Sequence, residues 1–319
     1  MKKAIFFLFS LTTWALVFGN QDYLFFSPEM ITSHIKEYST QEKEAILKDL
    51  EVVRSVCTPS LESGTSKKPL YIATAGAPGS RKTTILERFI NTYALTSYIT
   101  YLDPDQRGLK FMPHTYYSQS LSAYIVSKNK NYLQASQNAY EKWRGASNFI
   151  TLTLLEEAFA KRQNIAHGTT STGGHISSFL SEVKKAGYET ILLLCSAEED
   201  FRVNAIEYRN NEQKFYQSSP EDAINKRKIF PSKMETYFSK ADSLYIFWSD
   251  ELFQQERLGA ILSKGELKVI DANALNSFVL QFEKDRKDLS EEGQNILSWN
   301  ELVDLYQKRF NEQIFANTL

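Results

Sequence analysis

Residues 76–83 read Gly-Ala-Pro-Gly-Ser-Arg-Lys-Thr and follow the phosphate-binding pattern G-x-x-x-x-G-K-[ST] at every fixed position except one. In such a loop the backbone N–H groups surround phosphate oxygens, and the N-terminus of the following helix adds positive potential. Lys82 is expected to reach the terminal phosphates, and the Thr83 hydroxyl to ligate Mg2+. The pattern therefore predicts a nucleotide-binding segment made of Gly76, Ala77, Pro78, Gly79, Ser80, Arg81, Lys82, Thr83 and Thr84.

The exception is Arg81, which stands where the pattern has glycine. The backbone bends tightly at that position, and a side chain there costs of order 1 kcal/mol or more. Two interpretations follow. In the first, the loop works, and Arg81 is tolerated and contacts a phosphate. In the second, the segment is a decayed or coincidental Gly/Pro turn between a strand and a helix.

A pair of carboxylates forms the second candidate group. Asp103 and Asp105 directly follow the β-prone run 97–102, and carboxylates at the carboxyl end of a strand face the crevice where α/β sheets bind ligands. One of them is then a general base or an outer ligand of Mg2+. The alternative is that Asp-Pro-Asp is only a polar turn.

Alternating strand and helix patterns surround these residues. Apolar, β-prone runs occupy residues 70–75, 97–102, 164–166, 190–196, 243–248 and 267–271. Helical patterns separate them, which predicts a three-layer α/β fold of the P-loop NTPase or kinase type with a mostly parallel sheet. Capping patterns at Ser27, at Ser39 with Glu42 and at Ser298 with Glu301 predict helical extensions at both ends.

Two segments outside the strands carry further candidates. The mostly helical residues 108–162 contain Tyr140 and Arg144, which line a substrate pocket or only pack between helices. A later charged helix carries Arg202 and Arg209, which neutralise charge over the site or lie on a solvated face.

Composition limits the class of protein. The chain has 319 residues, 42% of them hydrophobic and 24% charged, which is ordinary for a globular protein with a sizeable core. Its net charge of -1 provides no global field for nucleic acid or anionic membranes. Only two cysteines, Cys57 and Cys195, are present, so a disulfide framework is not expected.

The first nineteen residues have the order of a secretory signal peptide. Two lysines precede the apolar run 4–19, which ends in small residues before a polar segment. The run is shorter than the about 20 residues that span a membrane. We therefore expect export, with action in the ATP-containing cytosol of another cell. An uncleaved membrane anchor or a buried helix is the alternative.

These patterns divide the chain into four parts. They are a signal peptide (1–19), an N-terminal helical segment with a linker (20–68), a catalytic domain (69–271) and a C-terminal helical extension (272–319).

The order of motifs over about residues 68–250 resembles the zeta toxin family of P-loop kinases. The matching segments are Gly76–Thr83, Leu102–Asp105, Gly168–Thr169, Gly187–Thr190 and the helical pattern Pro220–Arg227. The resemblance implies transfer of a phosphoryl group from ATP, with Mg2+, to a sugar hydroxyl of UDP-N-acetylglucosamine.

The resemblance also implies roles for single residues. Lys82 and Thr83 would hold the ATP phosphates and the metal, Asp103 would support the metal, and Asp105 would take the hydroxyl proton. Arg227 and, in a less well matched register, Arg209 would stabilise the transferred charge.

The sequence departs from the family at Arg81 and at His167, where the family often has Glu, and Thr151 is nearest to another expected Glu. The alternative function is therefore a catalytically impaired nucleotide-binding effector or interaction module, whose protein partner the sequence does not specify. A third reading is a nucleoside or antibiotic kinase on the same scaffold.

Overall fold

The computed structural model describes residues 25–59, 68–126, 132–251 and 254–316. Within them, seven strands form one sheet in the order β2-β3-β1-β4-β5-β6-β7. The strands are β1 (Leu70–Ala75), β2 (Ile99–Leu102), β3 (Asn164–His167), β4 (Glu189–Ala197), β5 (Ser243–Ser249), β6 (Arg257–Ser263) and β7 (Glu266–Val269).

The first five strands of the sheet are parallel. β1 lies between β3 and β4, and β2 and β5 flank them. Parallel strands end at the same edge, so the loops that follow β1, β2 and β3 meet there. The predicted α/β fold with a mostly parallel sheet is thus confirmed.

The last two strands correct the sequence prediction. β6 runs antiparallel to β5, and β7 antiparallel to β6. β6 has no counterpart among the strands expected from the sequence, and the last of those strands was expected at 267–271 rather than at Glu266–Val269. Lys264 and Gly265, with φ of 52° and 81°, turn the chain tightly between β6 and β7. Two consecutive positive φ values suit the right-handed twist of a hairpin, but without an Asn-Gly or Asp-Gly pair the turn gives little signal.

Eleven helices surround the sheet in the described part of the chain. Their bounds are α1 (Pro28–Ser33), α2 (Thr40–Cys57), α3 (Lys82–Thr92), α4 (Tyr116–Val126), α5 (Tyr132–Ala160), α6 (Ile176–Lys185), α7 (Glu199–Asn211), α8 (Pro220–Asn225), α9 (Met234–Lys240), α10 (Ala272–Glu291) and α11 (Trp299–Ala316). Short 3-10 or π turns lie at Pro104–Gly108, Leu109–Phe111, Arg227–Ile229 and Pro231–Lys233.

The predicted helix starts are confirmed by their hydrogen bonds. Ser27 caps α1, and Ser39 with Glu42 forms a reciprocal capping box at α2. Ser298 and Glu301 exchange bonds at the start of α11. Each bond satisfies an N–H group that has no partner inside its helix.

The two extensions pack on the core of the central fold. One continuous apolar cluster contains Ile46 of α2, Leu192 of β4 and Phe278 of α10, all fully buried. Cys57 and Cys195 are buried free thiols. The extensions therefore contribute to the stability of the sheet.

Residues 1–24 lie outside the described part, so the proposed signal peptide has no structural counterpart there. None of the described helices combines the length and the apolar character needed to cross a membrane.

Candidate active site

The predicted loop is formed between β1 and α3. Its backbone turns at Gly76 and Gly79, which have φ of 155° and 83°. A Cβ at Gly79 would lie 2.8 Å from the Cα and Cβ of Arg202, so only glycine lets α7 pack this closely on the loop. Strand, loop and helix therefore have the arrangement that the motif requires.

Arg81 adopts a left-handed conformation, with φ of 58° and ψ of 27°. This is the conformation for which the pattern has glycine, and it costs a residue with a side chain about 1 kcal/mol or more. The guanidinium lies 2.9 Å from the Glu256 carboxylate and donates to the carbonyl oxygens of Glu251 and Gln254. The connection between β5 and β6 thus holds the group that was expected to contact a phosphate.

Lys82 begins α3 and folds back over the loop. Its ammonium donates to the carbonyl oxygen of Ala77 at 2.8 Å. Burial lowers the pKa of Lys82 to about 8. No side chain caps α3, so its first N–H groups have no side-chain partner, and Lys82 and Thr83 of its first turn line the same cleft. An anion placed there would meet both.

Thr83, in the first turn of α3, is a neighbour of Asp103, which directly follows β2. The Thr83 hydroxyl donates to Asp103 Oδ2 at 3.2 Å, and Asp103 Oδ1 accepts the N–H groups of Asp105 and Gln106 at 2.9 Å each. Burial, aided by the negative charge of Asp105, raises the pKa of Asp103 to about 6. A cation beside these oxygens would stabilise the charged carboxylate and so lower the pKa of Asp103.

The donor set fits Mg2+ but does not complete its shell. Mg2+ prefers six oxygen ligands and usually takes several from phosphates and water. Thr83 and Asp103 offer a hydroxyl and a carboxylate oxygen, and the described residues contain no group of three or more His, Cys, Asp and Glu side chains suited to a metal. A metal here would therefore depend on a bound nucleotide.

Gly168 makes the position of Asp103 possible. A Cβ at Gly168 would lie 2.8 Å from Asp103 Cβ and Cγ. We predict that Gly168→Ala displaces Asp103 and destabilises the fold by about 1–3 kcal/mol, because overpacking forces side chains and backbone to shift. Urea unfolding measures this loss. Gly174→Ala is the control, since its Cβ would enter open space. Equal stabilities of the two variants would contradict the prediction.

Asp105 forms an ion pair with Arg144 of α5. The Arg144 guanidinium also lies 5.6 Å from the centre of the Tyr140 ring. All three side chains line the same cleft as the phosphate loop. The long helix after β2 thus contributes to the site, as one reading of its aromatic and arginine residues predicted.

The cleft has a volume of about 630 Å3. Its lining includes the loop residues Gly76, Ala77, Pro78, Gly79, Arg81, Lys82, Thr83 and Thr84 and, from later segments, Lys110, Tyr140, Arg144, Tyr208, Arg209, Gln213, Gln217 and Lys226. Ser80 is fully buried beneath the loop, where its hydroxyl donates to the Ala77 carbonyl. Of the sequence candidates, the loop, both aspartates and Arg209 come together here.

The two arginines implied by the family resemblance differ in position. Arg209 lines the cleft, and its Nη2 donates to Ser218 at 2.9 Å. Arg227 instead pairs with Glu199 and Asp288 and does not line the cleft. Its neighbour Lys226 lines the cleft instead. The expectation of Arg227 at the phosphates is therefore not met in this conformation, because two carboxylates hold its guanidinium.

His167 and Thr151 stand at or near positions where the family often has Glu, and Glu87 is a carboxylate close to the site. His167 Nδ1 lies 2.8 Å from the Tyr71 hydroxyl and outside the cleft, and Thr151 is buried within α5. Glu87, one turn after Thr83 on α3, lines the cleft. Glu87 was not among the residues predicted from the sequence. Its spacing of four residues from Thr83 could have placed it beside the site, since residues four apart share a helix face.

His167 gives a pH prediction. Burial lowers its pKa to about 4. Between about pH 6.5 and pH 4 the unfolded chain therefore binds a proton at this residue that the folded chain does not. The His167 contribution to the free energy of unfolding should fall by about 1–3 kcal/mol as the pH is lowered through this window, and that contribution should stay constant above it. Urea unfolding of the protein and of His167→Gln at pH 7 and pH 4.5 measures it. Parallel losses in both proteins would contradict the assignment to His167.

The fold agrees with two solved structures of low sequence identity. One is from the PezAT chromosomal toxin-antitoxin system of Streptococcus pneumoniae; it is 17% identical, has a TM-score of 0.52, and the match covers 87% of this chain and 98% of the other. The other is AvrRxo1-ORF1:-ORF2 with ATP; it is 12% identical, has a TM-score of 0.52, and the match covers 93% of each chain. At these identities the likeness shows a shared fold.

Comparison with curated proteins finds no significant match. The family model of zeta toxins, however, matches residues 57–271, which is about two thirds of the chain and includes the whole cleft-forming segment 74–229. The chain therefore belongs to the zeta toxin family, whose members are P-loop proteins that use ATP.

Proposed function

We propose that the protein transfers the γ-phosphoryl group of ATP to a hydroxyl of a small acceptor. The observation that carries the proposal is the content of the cleft: Lys82, the Thr83–Asp103 pair and Asp105 line one space of about 630 Å3. Phosphoryl transfer depends mainly on positioning and on neutralising charge, and these groups supply both. Family membership and a similar fold in a structure containing ATP support it.

In the proposed reaction the loop N–H groups and Lys82 bind the phosphates of ATP. Thr83 and Asp103 would hold Mg2+, which shields phosphate charge when bound. The Asp105 carboxylate takes the proton of the acceptor hydroxyl, whose oxygen attacks the γ-phosphorus as the bond to the ADP oxygen breaks. Arg144 orients that carboxylate through their ion pair, and Arg209, which lines the same cleft, neutralises charge.

The acceptor that the family resemblance implies is UDP-N-acetylglucosamine. Besides the loop, the cleft is lined by the cations of Lys110, Arg144, Arg209 and Lys226 and by two tyrosine rings, which suits an acceptor bearing phosphate groups. Because His167 stands outside the cleft where the family often has a carboxylate, contacts to the sugar differ from the family pattern. Other nucleotide sugars and nucleosides are therefore included in the test.

The test is incubation with γ-labelled ATP, Mg2+ and a panel of nucleotide sugars and nucleosides. We expect label on one acceptor and none with Lys82→Ala. Absence of label on every acceptor, with ATP-induced thermal stabilisation retained, would favour the second function, a nucleotide-binding effector without transfer activity. The left-handed Arg81 is the observation that favours this alternative, since strain in the loop opposes catalytic geometry. Absence of ATP binding as well would contradict both.

We propose further that residues 1–19 are a signal peptide and that the protein acts after export, in a cytosol that supplies ATP. The charged start and the short apolar run support this. Mass spectrometry of the exported protein is expected to find an N-terminus near Asn20. A full-length N-terminus would instead support an uncleaved anchor.

A further inference from the structure

We propose that Arg81 is a positioning residue, and that its ion pair with Glu256 holds the phosphate loop in the conformation that binds ATP. This inference rests on the proposed ATP binding. It gives a structural role to Arg81, the one residue at which the loop departs from the phosphate-binding pattern.

The backbone of Arg81 requires a restraint. Its φ of 58° and ψ of 27° are readily adopted by glycine but disfavoured for a long side chain. Without contacts elsewhere, the chain at this point would populate other conformations and turn the N–H groups at the start of α3 away from the cleft. A strained residue persists where its surroundings determine its conformation.

The surroundings of the Arg81 side chain supply that restraint. Its guanidinium lies 2.9 Å from the Glu256 carboxylate and donates to the carbonyl oxygens of Gln254 at 2.8 Å and Glu251 at 3.3 Å. Two hydrogen bonds from Nη1 and the ion pair of Nη2 with Glu256 restrain the planar guanidinium at both of its terminal nitrogens, which a single contact would not do.

Glu256 is suited to hold this arginine. Its side chain is 2% exposed, and its second oxygen lies 2.5 Å from Arg88 on the same helix as Lys82. A buried carboxylate is costly unless it is paired, so leaving Glu256 without Arg81 is unfavourable. Glu256, in the connection between β5 and β6, therefore contacts Arg81 just before α3 and Arg88 in the second turn of α3.

The same contacts could serve only to attach α3 to the sheet. Under that reading, loss of Glu256 affects the protein equally whatever residue stands at position 81. Under our proposal, Glu256 matters because Arg81 needs restraint, and a glycine at position 81 removes the need.

The experiment is a double-mutant cycle on ATP affinity, measured by calorimetric titration with a non-hydrolysable ATP analogue and Mg2+. We expect Glu256→Gln to weaken binding about tenfold in the natural background and less than about twofold in the Arg81→Gly background. In slow ATP hydrolysis, the KM for ATP should rise while kcat changes less. Glu266→Gln, on the exposed strand β7, is the matched control. Equal weakening in both backgrounds, or none in the natural one, would overturn the proposal.

A second comparison serves if Glu256→Gln does not fold. Arg81→Gly should bind the analogue more tightly than Arg81→Ala, because alanine keeps the strained backbone and loses the ion pair. Equal affinity or the reverse order would overturn the proposal.

Hydrogen exchange of residues 76–86 without nucleotide separates this inference from the proposed function. Glu256→Gln should accelerate exchange in the natural background and not in the Arg81→Gly background. If the unaltered protein binds no ATP, the proposed function fails, and the exchange result still decides whether Glu256 acts through Arg81.

Discussion

Asp105→Asn should lower the rate of phosphoryl transfer about 10²- to 10⁴-fold, the usual contribution of a positioned general base, and leave ATP binding nearly unchanged. Asparagine has the shape of aspartate but cannot accept the acceptor's proton at neutral pH. The Asp105 side chain lines the cleft and pairs with Arg144, whereas the proposed phosphate contacts come from the loop N–H groups and Lys82. The substitution should therefore lower the rate of phosphoryl transfer and leave the affinity for ATP nearly unchanged.

The measurement combines single-turnover transfer from labelled ATP with titration of ATP binding. Asp304→Asn, an exposed aspartate on α11, controls for the general effect of losing a carboxylate. Unchanged turnover in Asp105→Asn would rule out this residue as the base. Equal losses of turnover and affinity would indicate that it holds the nucleotide instead.

Lys82→Ala should weaken ATP binding and lower turnover, each by about 10²-fold or more, because it removes the positive charge at the terminal phosphates. In the structure its ammonium donates to the Ala77 carbonyl, and burial lowers the pKa of Lys82 to about 8. A phosphate would replace that carbonyl as the partner and favour the charged form. The loss should therefore affect both ground-state binding and transfer.

Thermal unfolding at increasing ATP concentration checks this prediction. The unaltered protein should gain stability as RT ln(1 + [ATP]/Kd), and Lys82→Ala should gain little at the same concentrations. Lys308→Ala, an exposed lysine on α11, is the control and should respond as the unaltered protein does. Equal stabilisation of Lys82→Ala would show that ATP binds elsewhere.

Short stretches of sequence were enough to predict the local parts of the site. The phosphate loop, the strand that ends before Asp103 and the helix caps depend on residues that are adjacent along the chain, so their patterns are readable there. The alternation of strands and helices also fixed the parallel centre of the sheet, since each crossover helix must cover its face. β6 was missed because its identity depends on pairing with β5 across the sheet.

Which distant side chains meet depends on how the helices and strands pack in three dimensions. Arg144 reaches Asp105 from 39 residues away, and Glu256 reaches Arg81 from 175 residues away. Arg227 matches a family motif, yet Glu199 and Asp288 hold it outside the cleft. The direction of a long charged side chain depends on the partners that packing brings within a few ångströms, and sequence spacing does not encode those partners.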